Sequence, residues 1–241
     1  MKVWALANQK GGVGKTTTTV TLGGLLASWG FRTLMLDMDP HGSLSGYFRY
    51  DPDTLERGTY ALFEAAINQR PVDPDYQVQP TGTEGLDLLP ASVALAALDR
   101  QAGRRQGMGL VLKNAIQALA TRYDHVIIDC PPMLGVLLIN ALAACEQLLI
   151  PVQTEFLALK GLERMLHTLQ MVLRSRRGTL PHLIVPTMFD RRTRASIDSL
   201  QLLRSQYDGA VWEGFIPIDT RFRDASCAGM PPSLFDPHSR G

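Results

Sequence analysis

The chain has 241 residues, an apolar share of 45%, a formal net charge of +1 and three cysteines. That size and balance allow one large α/β domain with a full core, and exclude a wholly basic nucleic-acid coat or an acidic tail, though not local patches. Cys130, Cys145 and Cys227 lie far apart with no C-x-x-C pair, which argues against a zinc site or a disulfide scaffold.

In chain order, short apolar runs alternate with helical patterns. Strands are predicted at Val3 to Asn8, Thr33 to Asp37, Gly85 to Leu89, His125 to Asp129, Gln147 to Pro151, His182 to Thr187 and Val211 to Ile216. Helices are predicted at Thr16 to Trp29, Tyr60 to Asn68, Gly107 to Thr121, Leu137 to Ala144, Leu159 to Arg176 and Ala195 to Gln206. Arg70 to Gly85, with its prolines and polar residues, reads as a surface loop. Runs such as Val126-Ile127-Ile128 are apolar on both faces, as buried parallel strands are. The expectation is a doubly wound, mostly parallel sheet flanked by helices, as a single domain over residues 1–241, with ligands at the carboxyl ends of the strands. The first strand begins at once, without a signal peptide, and no run is long enough to span a bilayer, so the expected location is cytoplasmic, with no membrane insertion.

Lys10-Gly11-Gly12-Val13-Gly14-Lys15-Thr16-Thr17 falls between the first strand and the first helix. Glycines let backbone N–H groups converge on phosphate oxygens, and a helix N-terminus favours the same anion. Lys15 can reach the terminal phosphates and the Thr16 hydroxyl can ligate Mg²⁺. The usual first glycine of such a loop is absent, with Gln9 in its place, and an extra lysine, Lys10, opens the loop.

Two further strands end in acids. Leu36-Asp37-Met38-Asp39-Pro40-His41-Gly42 puts two carboxylates on one side of a strand mouth, where one can help hold magnesium while the other positions or deprotonates a water. Val126-Ile127-Ile128-Asp129 is an apolar run ending in an acid that can contact Mg²⁺ directly or through water. Later strand ends carry Met188, Pro217 and Asp219, an apolar shelf and polar groups suited to a nucleotide base.

KGGVGKTT, DMDPHG, YDHVIIDCPPMLG, LIPVQTEFLALKGLERM and PTMFDRRTRASIDSL together resemble the ParA branch of the ParA/MinD ATPases, over nearly the whole chain. The resemblance implies a P-loop ATPase of the deviant Walker A type that binds ATP and Mg²⁺ and forms a homodimer with two ATP molecules at its interface. It implies that Lys10 reaches the phosphates held by the other subunit. Gly11, Gly12, Val13, Gly14, Lys15, Thr16 and Thr17 would then form the phosphate and magnesium site in cis. Asp39 would position the hydrolytic water and stand near the metal, and Asp129 would be the Walker B acid. It also implies a ParB-like or other stimulating partner. The cargo would be a chromosome, a plasmid or a polar assembly such as a chemotaxis array, and the location nucleoid-associated or polar.

Two departures stand out. His41 replaces the glutamine common after D-x-D-P in that family, and Ile218-Asp219 replaces an Arg-Asn pair. Between Arg174 and Arg223 there are nine arginines, no lysine and five acids. Arg174, Arg176 and Arg177 suit a solvated helix end. Arg191, Arg192, Arg194, Arg221 and Arg223 are the candidates for non-specific DNA binding through phosphates. The proline-broken tail from Met230 to His238 cannot form the amphipathic helix of a membrane cycler, and no second suitable cysteine joins Cys130 for a shared iron–sulfur cluster. A protein–protein localisation switch with little need of DNA stays open beside the DNA-binding reading.

Overall fold

The structure is a computed structural model that describes residues 1–102, 107–175 and 179–237. Seven strands form one sheet: β1 (Lys2–Leu6), β2 (Thr33–Asp37), β3 (Gln79–Thr83), β4 (Leu86–Leu89), β5 (His125–Asp129), β6 (Gln147–Gln153) and β7 (His182–Thr187). Their spatial order is β3-β4-β2-β5-β1-β6-β7, parallel throughout except for β3, which pairs antiparallel to β4 at one edge. β1 lies between β5 and β6, so the strands ending in the glycine loop and in Asp129 are neighbours, with Leu6 opposite Asp129. Asp37 likewise stands opposite Asp129 across β2 and β5.

The period of two along each strand splits the core between the faces of the sheet. Val3, Ala5, Leu34, Leu36, Val126, Ile128, Leu148 and Ile150 enter the larger core. Residues of α3 (Thr59–Ile67), α5 (Leu95–Ala102), α6 (Val111–Ala118), α7 (Val136–Ala144) and α8 (Phe156–Ser175) complete it. The alternate residues Met35, Leu88, Leu6, Ile127 and Leu149 face the other side, which α1 (Lys15–Ser28) and α2 (Ser43–Tyr47) help to close. Helix α4 (Pro74–Gln77) is a short turn before β3. At the far end lie α9 (Arg194–Gln206), α10 (Arg221–Ala228) and α11 (Pro232–Phe235), the last packed along α1.

Two expectations are corrected. Residues 70–85 are not simply a loop: Asp73 caps α4, with Pro74 at its first position, and β3 follows as an edge strand. Its Gln-Pro-Thr-Gly-Thr sequence lacks apolar alternation because it is half-exposed and pairs on one side only. Conversely, Val211 to Ile216 is not a strand. It touches the β7 region through isolated bridges, Ile184 with Val211 and Phe189 with Pro217. The Trp212 and Ile216 amides bond to β7 carbonyls, but Gly214 folds against the Trp212 ring between them and breaks the ladder. The predicted helix from Leu159 starts earlier, at Phe156, and its predicted end at Arg176 lies outside the described residues, as do Arg177 and His238.

Candidate nucleotide site

Three strand ends meet at one mouth. The loop after β1 turns twice through left-handed backbone, at Gly12 (φ 73°) and Gly14 (φ 88°), which only glycine adopts without strain. A Cβ on Gly11, Gly12 or Gly14 would meet nothing within 4 Å, so the concavity beside the loop is open. Helix α1 starts at Lys15 with no side chain capping it and no acid in its first turn. Its first N–H groups are therefore free to face an anion. Below the loop the Thr187 hydroxyl donates to the Val13 carbonyl at 2.9 Å, tying it to β7.

Lys15 is buried beside the loop. The Thr16 hydroxyl donates to Asp129 Oδ2 at 2.6 Å, while Asp129 Oδ1 is buried without a hydrogen-bond partner. Burial, reinforced by the nearby Asp37 charge, pushes the Asp129 carboxyl up to about 8. Burial likewise raises Asp37 to about 6 against the pull of its hydrogen bonds to Ser45 and the Asp39 amide. A buried carboxylate with an orphan oxygen beside a hydroxyl suits a hard cation. Among the described residues no cluster of three or more His, Cys, Asp or Glu is placed to hold a metal ion.

The second acidic segment is held from behind. Asp37 Oδ2 accepts from the Ser45 amide at 2.9 Å and hydroxyl at 2.7 Å, Asp37 Oδ1 accepts from the Asp39 amide at 3.0 Å, and Ser45 Oγ accepts from the Ala91 amide at 2.8 Å. Asp39 thus projects from a fixed backbone. Asp37 emerges as structural support, and Ser45, which carried no signal in the sequence, as its partner.

Lys10 stands at the rim, and its ammonium pairs with Glu155, the residue just before α8. Asn8 fixes the approach: its Oδ1 accepts from the Lys10 amide and its Nδ2 donates to the Pro151 carbonyl. Glu155 lies inside the quoted motif LIPVQTEFLALKGLERM, but nothing in its local sequence marked it as Lys10's partner. Around this rim Met133, Phe156 and Leu157 are largely exposed, at 73%, 67% and 66%.

On the other flank a cavity of about 290 Å³ opens between Gly14, Thr17, Met188, Pro217, Asp219 and Phe222. The structure thus gathers Met188, Pro217 and Asp219 beside the loop. Met188 adopts φ 53°, a conformation costly for a non-glycine residue. Asp219 Oδ1 accepts from the Arg221 amide and Nε. The bridge between Phe189 and Pro217 brings the Arg191–Arg194 turn near the start of α10, so the five arginines share one end of the molecule. Several are already paired: Arg192 with Asp190 at 2.9 Å, Arg194 with Asp198 at 3.7 Å, and Arg221 with both Asp219 and Asp236. Cys130 and Cys145 are buried, and Cys227 is exposed.

The chain is similar to known proteins over most or all of its length. A family described as an AAA domain matches residues 1–181. The chain is 36% identical over 241 residues to the sporulation initiation inhibitor protein Soj of Bacillus subtilis, covering 100% of this chain and 93% of Soj. It is 36% identical over 244 residues to the chromosome partitioning protein ParA of Myxococcus xanthus, covering 100% of this chain and 83% of that one. Among solved structures, a Mycobacterium smegmatis protein named cobyrinic acid a,c-diamide synthase, bound to ADP and magnesium, is 35% identical with a TM-score of 0.83, covering 95% of this chain and 91% of that one. McdA of Cyanothece in complex with ATP has a TM-score of 0.84 at 23% identity, over 98% of this chain and 93% of that one, a likeness of fold. At 36% identity to Soj and to ParA over the whole of the given chain, with the glycine loop and both strand-end acids in one mouth, the chain belongs to the ParA branch of the ParA/MinD family.

Proposed function

We propose that this protein is an ATPase that binds ATP with Mg²⁺, dimerises face to face around two nucleotides, and hydrolyses them slowly to move or position a cargo. The observation that carries the reading is Lys10. It stands at the rim, outside the concavity that Gly11 to Gly14 leave open, on the face where Met133, Phe156 and Leu157 are bare. An ammonium placed there is suited to phosphates held by a second copy.

Within one subunit, the backbone N–H groups from Gly11 to Thr17 and the Lys15 ammonium bind the phosphates. Thr16 and Asp129, with Asp39 close by, would hold the Mg²⁺ shell, and the ion when bound would neutralise charge on the phosphate oxygens. Asp39 positions the attacking water. Met188, Pro217 and Asp219 line the base. Two triphosphates brought together repel, and Lys10 donated in trans offsets that repulsion only while ATP is present. Dimerisation therefore reports nucleotide state. The name of the mycobacterial neighbour suggests an amide synthase instead, but that chemistry gives Lys10 and the bare apolar rim no role.

The test is sedimentation with ATP, ADP and no nucleotide. The wild type should dimerise with ATP alone. Lys10→Ala should bind ATP yet stay monomeric, and Asp39→Ala should accumulate as an ATP-bound dimer with little phosphate release. A Lys10→Ala chain that dimerises normally would remove the reading.

In the cell this cycle would act on the nucleoid, through non-specific DNA contacts by Arg191, Arg192, Arg194, Arg221 and Arg223 and a ParB-like or other stimulating protein. A second reading has its own support: Arg192, Arg194 and Arg221 are spent on carboxylates within the chain. A nucleotide-gated switch that localises a polar assembly through a protein partner would need no DNA. DNA retention, taken up below, separates the two.

A further inference from the structure

The Asp39 carboxylate is gripped on one oxygen. Its Oδ1 accepts from the His41 backbone amide at 3.0 Å and from the His41 ring Nδ1 at 2.9 Å. A carboxylate oxygen can only accept, so Nδ1 carries the hydrogen and donates it. Among the described residues both hydrogen bonds to this carboxylate fall on Oδ1, and Oδ2 accepts none.

The backbone beneath is already immobile. The Asp39 amide is bound to Asp37, Asp37 is bound to Ser45, and the Asp39 carbonyl accepts from the Gly42 amide at 2.8 Å. What remains free in an aspartate so held is rotation of the carboxyl about its last torsion, which is broad and roughly two-fold. The backbone amide of His41 alone leaves that rotation soft. The ring adds a second donor on the same oxygen and fills both its lone pairs. A merely solvated turn histidine has no reason to fold back on the acid two residues before it: the His41 side chain is 83% exposed, so no packing forces it there.

We propose that His41 is a positioning residue for ATP hydrolysis: it saturates Asp39 Oδ1 and so presents Oδ2 alone to the attacking water. This rests on the reading that Asp39 orients that water. The glutamine that the resemblance would place at this position has a longer, more flexible reach, whereas the ring of His41 is rigid beyond two torsions. The residue therefore adjusts how well the water is held by acting through Asp39.

The experiment is steady-state ATP turnover at fixed pH and saturating Mg²⁺ for the wild type, His41→Ala and His41→Asn, with ATP-dependent dimerisation measured alongside. Asparagine keeps one N–H donor at about the distance of Nδ1. His41→Ala should lower kcat by roughly 3- to 10-fold, the scale of lost orientation of a single group, with KM for ATP and dimerisation within twofold of wild type. His41→Asn should recover to within about threefold of wild type. Unchanged kcat in His41→Ala overturns the proposal. So does an Asn variant no better than Ala, or a KM that rises in step with the loss of kcat. Absence of turnover in the wild type would instead overturn the ATPase reading beneath it.

Discussion

Asp129 is fully buried, bonded through one oxygen to Thr16 and through the other to nothing. Without a metal ion, a carboxylate in that position opposes folding, because burial disfavours its charged form and the nearby Lys15 ammonium offsets only part of that cost. Its raised pKa means that the folded chain binds a proton the unfolded chain has lost, so the penalty grows as pH rises from about 4 towards 8. Asp129→Asn removes the penalty and keeps a partner for Thr16. At pH 8 without nucleotide or Mg²⁺ it should melt several degrees above wild type, at roughly 2–4 °C per kcal/mol for a chain of this size. If Asp129 holds the metal as proposed, the same variant should lose ATP turnover by at least about 100-fold. A variant that melts lower, or keeps turnover, would assign Asp129 a structural task. The sequence marked this residue because an acid ends an otherwise apolar strand; it could not mark the orphan oxygen, which depends on what packs above it.

Among the elements, α1 carries the most varied duties. Its N-terminus faces the open loop, its Val20 and Leu26 enter the core, and Gly24 meets α11. A Cβ on Gly24 would lie 2.3 Å from Pro231 Cβ and 2.8 Å from Ser233 Oγ, so α11 sits on α1 only because no side chain intervenes. Gly24→Ala gains about 1 kcal/mol of helix propensity but must displace α11, an overpacking that costs typically 1–3 kcal/mol. The expected outcome is a melting temperature unchanged or a few degrees lower, with faster proteolysis after Gly229, where Tyr47 holds the Met230 carbonyl at 2.9 Å. Unchanged proteolysis would show that the segment is anchored elsewhere. The central strands were legible because each is a both-face-buried apolar run, and α1 because it follows the glycine loop. The polar edge strand β3 was not legible, since pairing on one side imposes no pattern. Val211 to Ile216 misled for the opposite reason: its apolar residues fill gaps at the rim of β7 without joining the ladder.

For the molecule as a whole, the arginine-bearing end is where the two proposed readings, DNA and a protein partner, can be told apart. Guanidinium groups held by Asp190, Asp198, Asp219 and Asp236 offer less net charge to a phosphate than Arg191 and Arg223, for which side-chain pairing plays no part in the salt bridges described. ATP-dependent DNA retention across a salt series should therefore fall more for Arg191→Ala and Arg223→Ala than for Arg192→Ala. Each lost phosphate contact should flatten the log–log salt slope by about one. No wild-type retention at low salt would leave the protein-partner reading alone. The meeting of the glycine loop with both strand-end acids was legible from the motifs, because parallel strands bring their carboxyl ends to one mouth. The Lys10 partner was not, since Glu155 is 145 residues away in the chain. That pairing makes the lysine's availability a matter of competition. The pair is only partly buried and a surface ion pair is worth about 0.2–1 kcal/mol, so in the proposed cycle Glu155 sets a low threshold that a phosphate must exceed. Glu155→Gln should lower the ATP concentration at half-maximal dimerisation by roughly 1.5- to 5-fold. A chain that spends its idle time neutralising its own reaching charge stays quiet towards every weaker anion around it, and answers only to one that binds harder than its own carboxylate.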